Sequence, residues 1–466
     1  MLIPSSTYRI QLHKDFTLRD LQRILDYLHT LGVGSVYASP IMQATPGSMH
    51  GYDVTDPHSI NYELGTNDDL KTIIRDLRKK EMYWLQDIVP NHMAFHTMNF
   101  RLMDVLERGP HSPYYRYFDI DWNHRDRDLK GKVMVPFLGE ERDKCIDDGQ
   151  IRLAFSDEGF QLAYFDNAWP LSMPAYSLLI SLFQTDNAVP AVLTRMVAAS
   201  EGANYETWRA TKQEYLEAIV PVTSHIQDIQ NVVDNVNQDR KLLRGIMDQQ
   251  FYCLSFWKET DRRINYRRIF TVNELICLRM EDEMVFNEYH SYYFKLLREK
   301  LIEGFRIDHI DGLQDPAQYT QNLRSQVGDS SYIIAEKILE AKEDMPSQWP
   351  LQGTSGYEFL SFLNQLLTYR KGARQLLEFY RELVPDVAPY RKLIFESKRL
   401  ILQNHMSGEW DNLTFLFRSL GLSLNFADDQ IKAPLGFFML SLPVYRIYPD
   451  SLPLKGKSLL TIHEAF

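Results

Sequence analysis

Apolar residues alternate with polar ones, then recur every three or four positions, and the two periods take turns along the first ninety residues. The run from Thr7 to Leu12 reads as a short strand, and Leu18, Leu21, Leu25, Leu28 and Leu31 line one face of a helix that Gly32 can end. Val36 to Ser39 reads as a second strand. Asn67 or Asp68 is placed to cap a second helix through Leu70, Ile73, Ile74 and Leu77, and Met82 to Val89 forms a third strand closed by Pro90. Strands alternating with helices build parallel α/β sheets. The next strand of this kind is Glu303 to Asp308, which leaves His92 to Glu303 too long for a loop and predicts an inserted, mostly helical subdomain over residues 92–303. Small strands are expected between Trp122 and Phe165, and helix through Ile226, Ile229, Val232, Val233, Val236, Leu242, Leu243 and Ile246. A helix from Pro316 to Leu323 and a fifth strand from Tyr332 to Glu336 follow. Gly356 to Phe359 is a candidate sixth strand, and the remainder reads as helices. The expected division is 1–91 and 304–360 as two parts of a barrel, 92–303 as the insertion, and 361–466 as a helical subdomain.

Composition narrows the function classes. Lys plus Arg number 51 against 62 Asp plus Glu, a formal charge of −11, which disfavours a phosphate backbone as partner. Cys145, Cys253 and Cys277 are far apart and odd in number, so neither a disulfide framework nor a metal knuckle is expected, and a reducing cytoplasm fits. The first residues show no basic region followed by an apolar run. The longest apolar stretch, Leu435 to Tyr445, is shorter than the ~20 residues of a membrane helix and contains Pro443, so no span is expected.

Several familiar signatures fail. Gly456-Lys457-Ser458 lacks the first glycine of a phosphate loop, and Gly353-Thr354-Ser355-Gly356 is too short for a serine elbow. His92 and His96 have zinc-helix spacing without the Glu or a third ligand, so no metal is expected. The carboxylates are more telling. Residues two apart share a strand face, so Arg306 and Asp308 point together at the carboxyl end of strand four, with Glu336 at the end of strand five and Asp87 near the end of strand three. In parallel barrels that end carries the chemistry. Two carboxylates on neighbouring strands suit retaining glycoside chemistry, and equally suit plain ion pairing at a sheet rim.

Three segments resemble the first signature regions of the α-amylase superfamily: Asp87-Ile88-Val89-Pro90-Asn91-His92, Gly304-Phe305-Arg306-Ile307-Asp308-His309 and Ala335-Glu336-Lys337-Ile338. Further segments resemble the maltooligosyl trehalose synthase family: His50-Gly51-Tyr52-Asp53-Val54, Ile264-Asn265-Tyr266-Arg267-Arg268, Asp308-His309-Ile310-Asp311-Gly312-Leu313 and Gly353-Thr354-Ser355-Gly356-Tyr357. The resemblance implies a (β/α)8 TIM barrel, an isomerase acting on maltooligosaccharides, and no cofactor. It makes Asp308 the nucleophile and Glu336 the acid/base. Arg306 orients Asp308, Tyr52 stacks under the reacting glucose, His92 binds its hydroxymethyl group, Asp87 braces Arg306, and Asn91, His50 and His309 complete the site. The implied reaction turns the reducing-end α-1,4 linkage into an α,α-1,1 linkage; an amylase-like hydrolase and a non-catalytic glucan binder are the alternatives. The superfamily's third carboxylate sits in a His-Asp pair, and no such dipeptide occurs here. With five strands and a sixth candidate in place of eight, the expectation is a barrel incomplete at the C-terminal side.

Overall fold

Six parallel strands position the site: β1 (Thr7–Ile10), β2 (Ser35–Ala38), β3 (Tyr83–Ile88), β4 (Gly304–Ile307), β5 (Tyr332–Ala335) and β6 (Gly353–Thr354). Each lies beside its sequence neighbours, the order of a TIM-type barrel wall. The computed structural model describes residues 3–183, 188–219, 223–340, 343–421, 425–449 and 453–465. Every residue of β4 is buried, and β3 buries all but its first, as strands covered on both faces must. The register sets Arg306 of β4 opposite Asp87 of β3 on one side and Ile334 of β5 on the other.

The structure departs from the sequence pattern at three element ends. The first amphipathic run is two helices, Leu18–Arg23 and Leu25–Thr30, because Ile24 leaves helical geometry at φ −102°, ψ 4°. Helix Asn67–Lys79 is capped by Thr66 rather than by Asn67 or Asp68: the Thr66 hydroxyl accepts from the Asp69 N–H at 3.2 Å, and the Asp69 carboxylate accepts from the Thr66 N–H at 2.9 Å. The sixth strand is Gly353–Thr354, pairing with Ile334 and Ala335, and not Gly356 to Phe359. Gly356 sits at φ 92°, where a side chain is disfavoured, and turns the chain into helix Tyr357–Leu367.

Between β3 and β4 the chain forms helices and three small sheets. His92–Ala94 pairs with Leu275–Cys277, Val133–Leu138 with Tyr252–Phe256, and Ile151–Ser156, Gly159–Tyr164 and Asn167–Pro170 form a meander. Buried ion pairs fasten this segment down. Arg101, with no exposed surface, reaches Glu288 at 2.6 Å and Asp56 at 3.1 Å, and Lys212 meets Glu107 at 2.7 Å. Helix Glu283–Arg298 returns to the barrel wall, where the Tyr289 hydroxyl donates to the Val89 carbonyl at 2.6 Å.

One hydrophobic core runs from Ile10 to Trp349. Beyond it the character changes: helices Tyr357–Leu367, Arg370–Leu383 and Tyr390–Asn404 bury no residue, and Leu366, Leu367 and Leu376 are 80%, 74% and 70% exposed. Polar contacts tie the later helices to the insertion, with Arg268 on Glu409 at 2.9 Å and the Asn412 amide donating to the Ile264 carbonyl at 2.7 Å. Among the described residues no helix is long and apolar enough to cross a membrane.

Candidate active site

The carboxyl ends of β3, β4 and β5 converge on one guanidinium. Arg306 Nη1 donates to both Asp87 oxygens, at 2.9 and 3.1 Å, and to Asp308 Oδ1 at 2.7 Å. Its Nη2 lies 3.0 Å from Glu336 Oε1. Asp87 is fully buried, Arg306 and Asp308 nearly so. Period two in β4 brings Arg306 and Asp308 to one face, and the parallel register brings the other two carboxylates to them.

Three carboxylates around one cation cannot all ionise cheaply out of water. Burial pushes Asp87 up against the pull of Arg306 and its hydrogen bonds. Burial, followed by the charge of Asp87, pushes Asp308 up to about 8, with Arg306 opposing and Glu336 adding to the rise. Burial and like charge together favour a proton held between Asp87 and Asp308. Tyr52 and Tyr37 donate to Asp87 Oδ2 at 2.6 and 3.0 Å; burial raises both phenols above their ordinary range, so they stay neutral donors.

The histidines divide by exposure. His92 is buried and burial pushes it down to about 3, so it is neutral. Arg267 Nη1 donates to Asn91 Oδ1 at 2.9 Å, which turns the Asn91 amide nitrogen toward His92 Nδ1 at 3.3 Å. His92 Nδ1 accepts and its proton sits on Nε2, while the Tyr52 backbone is among the groups that act on the ring. His309 adopts left-handed backbone at φ 42°, ψ 51°, and its N–H donates to Glu336 Oε2 at 2.9 Å. His50 lies half-exposed at the rim, its Nδ1 accepting from the Tyr52 N–H at 3.0 Å. His92 belongs to strand His92–Ala94, so it shares no helix face with His96.

Tyr37, Arg267 and Tyr357 were not singled out from the sequence as site residues. Tyr37 lies in β2, where a tyrosine reads as core. Arg267 was part of a recognisable segment, but only the fold shows that the nitrogen bound to Asn91 also donates to the adjacent Gly312 carbonyl. Tyr357 opens the helix after β6 and its hydroxyl lies 3.4 Å from Glu336 Oε1. From there an open groove runs along the exposed face of the helix, past Ser361, Asn364 and Arg370.

The family model for the alpha-amylase catalytic domain matches residues 11–143. A putative maltooligosyl trehalose synthase of Mycobacterium tuberculosis (strain CDC 1551 / Oshkosh) is 31% identical over 378 residues, 80% of this chain and 39% of its own length. The structure of the DSM5389 glycosyltrehalose synthase superposes with a TM-score of 0.74 at 33% identity, covering 99% of this chain and 52% of that one. The chain is a homologue of the maltooligosyl trehalose synthases. The maltooligosyltrehalose synthase from Arthrobacter ramosus gives the same TM-score, 0.74, at 29% identity over 98% of this chain and 50% of its own. The likeness to the solved synthases thus takes in the barrel strands, the insertion and the later helices together, and the chain spans about half the length of those synthases.

Proposed function

We propose that this chain carries the donor side of a trehalose-forming glucan isomerase: Asp308 is the nucleophile and Glu336 the acid/base of a retaining double displacement on maltooligosaccharides. The observation that carries the reading is the single buried guanidinium of Arg306, which holds both carboxylates at the ends of adjacent parallel strands. With the proton on Glu336 and Asp308 ionised against Arg306, Glu336 protonates the last α-1,4 oxygen while Asp308 bonds to the anomeric carbon. The glycosidic oxygen, an acceptor, favours that placement of the proton when substrate is bound.

The second half of the reaction requires the released glucose to turn over and present its own anomeric hydroxyl to Glu336, now the base. That hydroxyl attacks the glycosyl-enzyme and gives the α,α-1,1 bond. Confinement beside the intermediate raises its effective concentration over that of water. Tyr357, within reach of Glu336, borders one side of the place where that glucose would lie. Tyr52, fixed by its bond to Asp87, is assigned to stack on the reacting sugar, and the neutral His92 to meet its hydroxymethyl group. His50 and His309 border the same subsite. The three cysteines are free and buried, which fits a reducing cytoplasmic setting.

The test is maltopentaose incubated with the chain while reducing ends and product size are followed together. Loss of reducing ends at constant size is the expected result. New reducing ends with shorter products identify a hydrolase, and binding without conversion identifies a glucan-binding module.

A further inference from the structure

Just past the end of β5, next to Glu336, Lys337 has no exposed surface. Its ammonium pairs with Glu343 at 2.7 Å and Asp311 at 3.2 Å, and lies 5.4 Å from the centre of the Tyr448 ring. The Tyr448 hydroxyl donates to the other oxygen of Asp311. Arg446, two residues earlier, donates to the Asp311 carbonyl at 2.8 Å and the Gln314 carbonyl at 2.6 Å. Lys337 therefore joins three separate stretches of chain: the turn after β4, the residues after β5, and the segment around Tyr448.

Burying such a charged cluster is a weak source of stability, since taking each ion out of water offsets what pairing returns. What the cluster supplies is fixed geometry at one turn. His309, whose N–H holds Glu336 Oε2, begins the turn Ile310–Gly312, and Asp311 of that same turn holds Lys337. Two consecutive residues of β5's end thus grip a single turn from opposite sides, one through a backbone N–H and one through a carboxylate. We infer that Lys337 is a positioning residue for Glu336, anchored by Asp311 and Tyr448, and that it sets the acid/base carboxyl relative to Asp308. This rests on the acid/base role proposed for Glu336.

The test compares the parent chain with Lys337→Met, Lys337→Arg and Tyr448→Phe on two substrates. Maltopentaose needs its leaving oxygen protonated. α-Maltotriosyl fluoride does not: the C1–F bond breaks as the Asp308 oxygen bonds to C1, and fluoride leaves with the electron pair. In Lys337→Met the first turnover of fluoride release is expected within about threefold of the parent, while maltopentaose conversion falls about 100-fold or more, the range of lost acid catalysis. Lys337→Arg restores much of the difference, and the crystal structure of Lys337→Met shows Glu336 released from the His309 N–H. Equal losses on both substrates, or an unmoved Glu336, overturn the inference. Should Lys337→Met fail to fold, Tyr448→Phe is expected to show the same split in smaller measure, and an equal loss there counts against the inference. A parent chain that releases no fluoride contradicts the proposed function instead, and the position of Glu336 in the variant's coordinates then decides the positioning claim by itself.

Discussion

Asp308 stands where ionisation is most costly, beside two other carboxylates and one guanidinium. Because burial and Asp87 raise it to about 8 from an ordinary value near ~3.9, the folded chain binds more protons than the unfolded chain across that interval. Its contribution to stability therefore falls as pH rises from about 4 to about 8. Asp308→Asn removes this dependence. Thermal melts are expected to show the variant gaining on the parent from pH 5 to pH 8, and a constant gap across that range would contradict the electrostatic account. The same variant and Glu336→Gln are each expected to lower conversion at least about 100-fold, since neither amide can bond to C1 or move the proton. Much of this was legible in the sequence, because period-two spacing puts Arg306 and Asp308 on one face without any knowledge of the fold. The Asp87–Arg306 contact, expected from the family resemblance, is present in the structure. Tyr37 was not legible: a tyrosine in a strand has the same local pattern whether it packs in the core or donates to a buried carboxylate.

Most elements that carry the site were read from their periods, the sixth strand excepted. β4 is a short run flanked by Glu303 and Asp308, β5 an apolar run ended by Glu336, and helix Asn67–Lys79 repeats every three to four positions. The cap slipped by one residue because Thr66, Asn67 and Asp68 are all competent caps, and only the reciprocal bond with Asp69 decides among them. Thr66→Ala is expected to cost about 1 kcal/mol, read as a lower melting temperature with conversion per folded molecule unchanged. The turn after β4 is less forgiving. A Cβ on Gly312 would stand 2.3 Å from the His309 ring and 2.6 Å from Asn91 Oδ1. Gly312→Ala must shift His309, whose N–H holds Glu336, and a misplacement of about 1 Å is typically worth about 100-fold in rate. A parent-like rate in that variant would mean that the turn does not set the acid/base. The sixth strand was misplaced because Gly356-Tyr357-Glu358-Phe359 has strand-like composition, whereas the glycine is used for its left-handed backbone.

At the scale of the molecule, a well-packed core adjoins helices whose apolar side chains face outward. Leu366, Leu367, Leu376 and other large apolar side chains of these helices are exposed in a density that soluble monomers rarely show. The chain alone is expected to bind a hydrophobic dye and to elute in size-exclusion chromatography above its monomer mass at micromolar concentration. Monomeric elution without dye binding would mean that these helices pack differently. This surface was not legible in the sequence, since an amphipathic period shows which face is apolar and not what covers it. That the chain between β3 and β4 is too long for a loop was legible, but two of the three small sheets described there depend on pairings between residues more than a hundred positions apart. The central claim is that Asp308 bonds to the sugar while Glu336 moves the proton. The most direct test traps that bond with 5-fluoro-α-D-glucosyl fluoride, followed by intact mass and peptide mapping. The account predicts a mass increase of one fluoroglucosyl group on the peptide containing Asp308, absent in Asp308→Asn; no adduct, or an adduct on another residue, would contradict it.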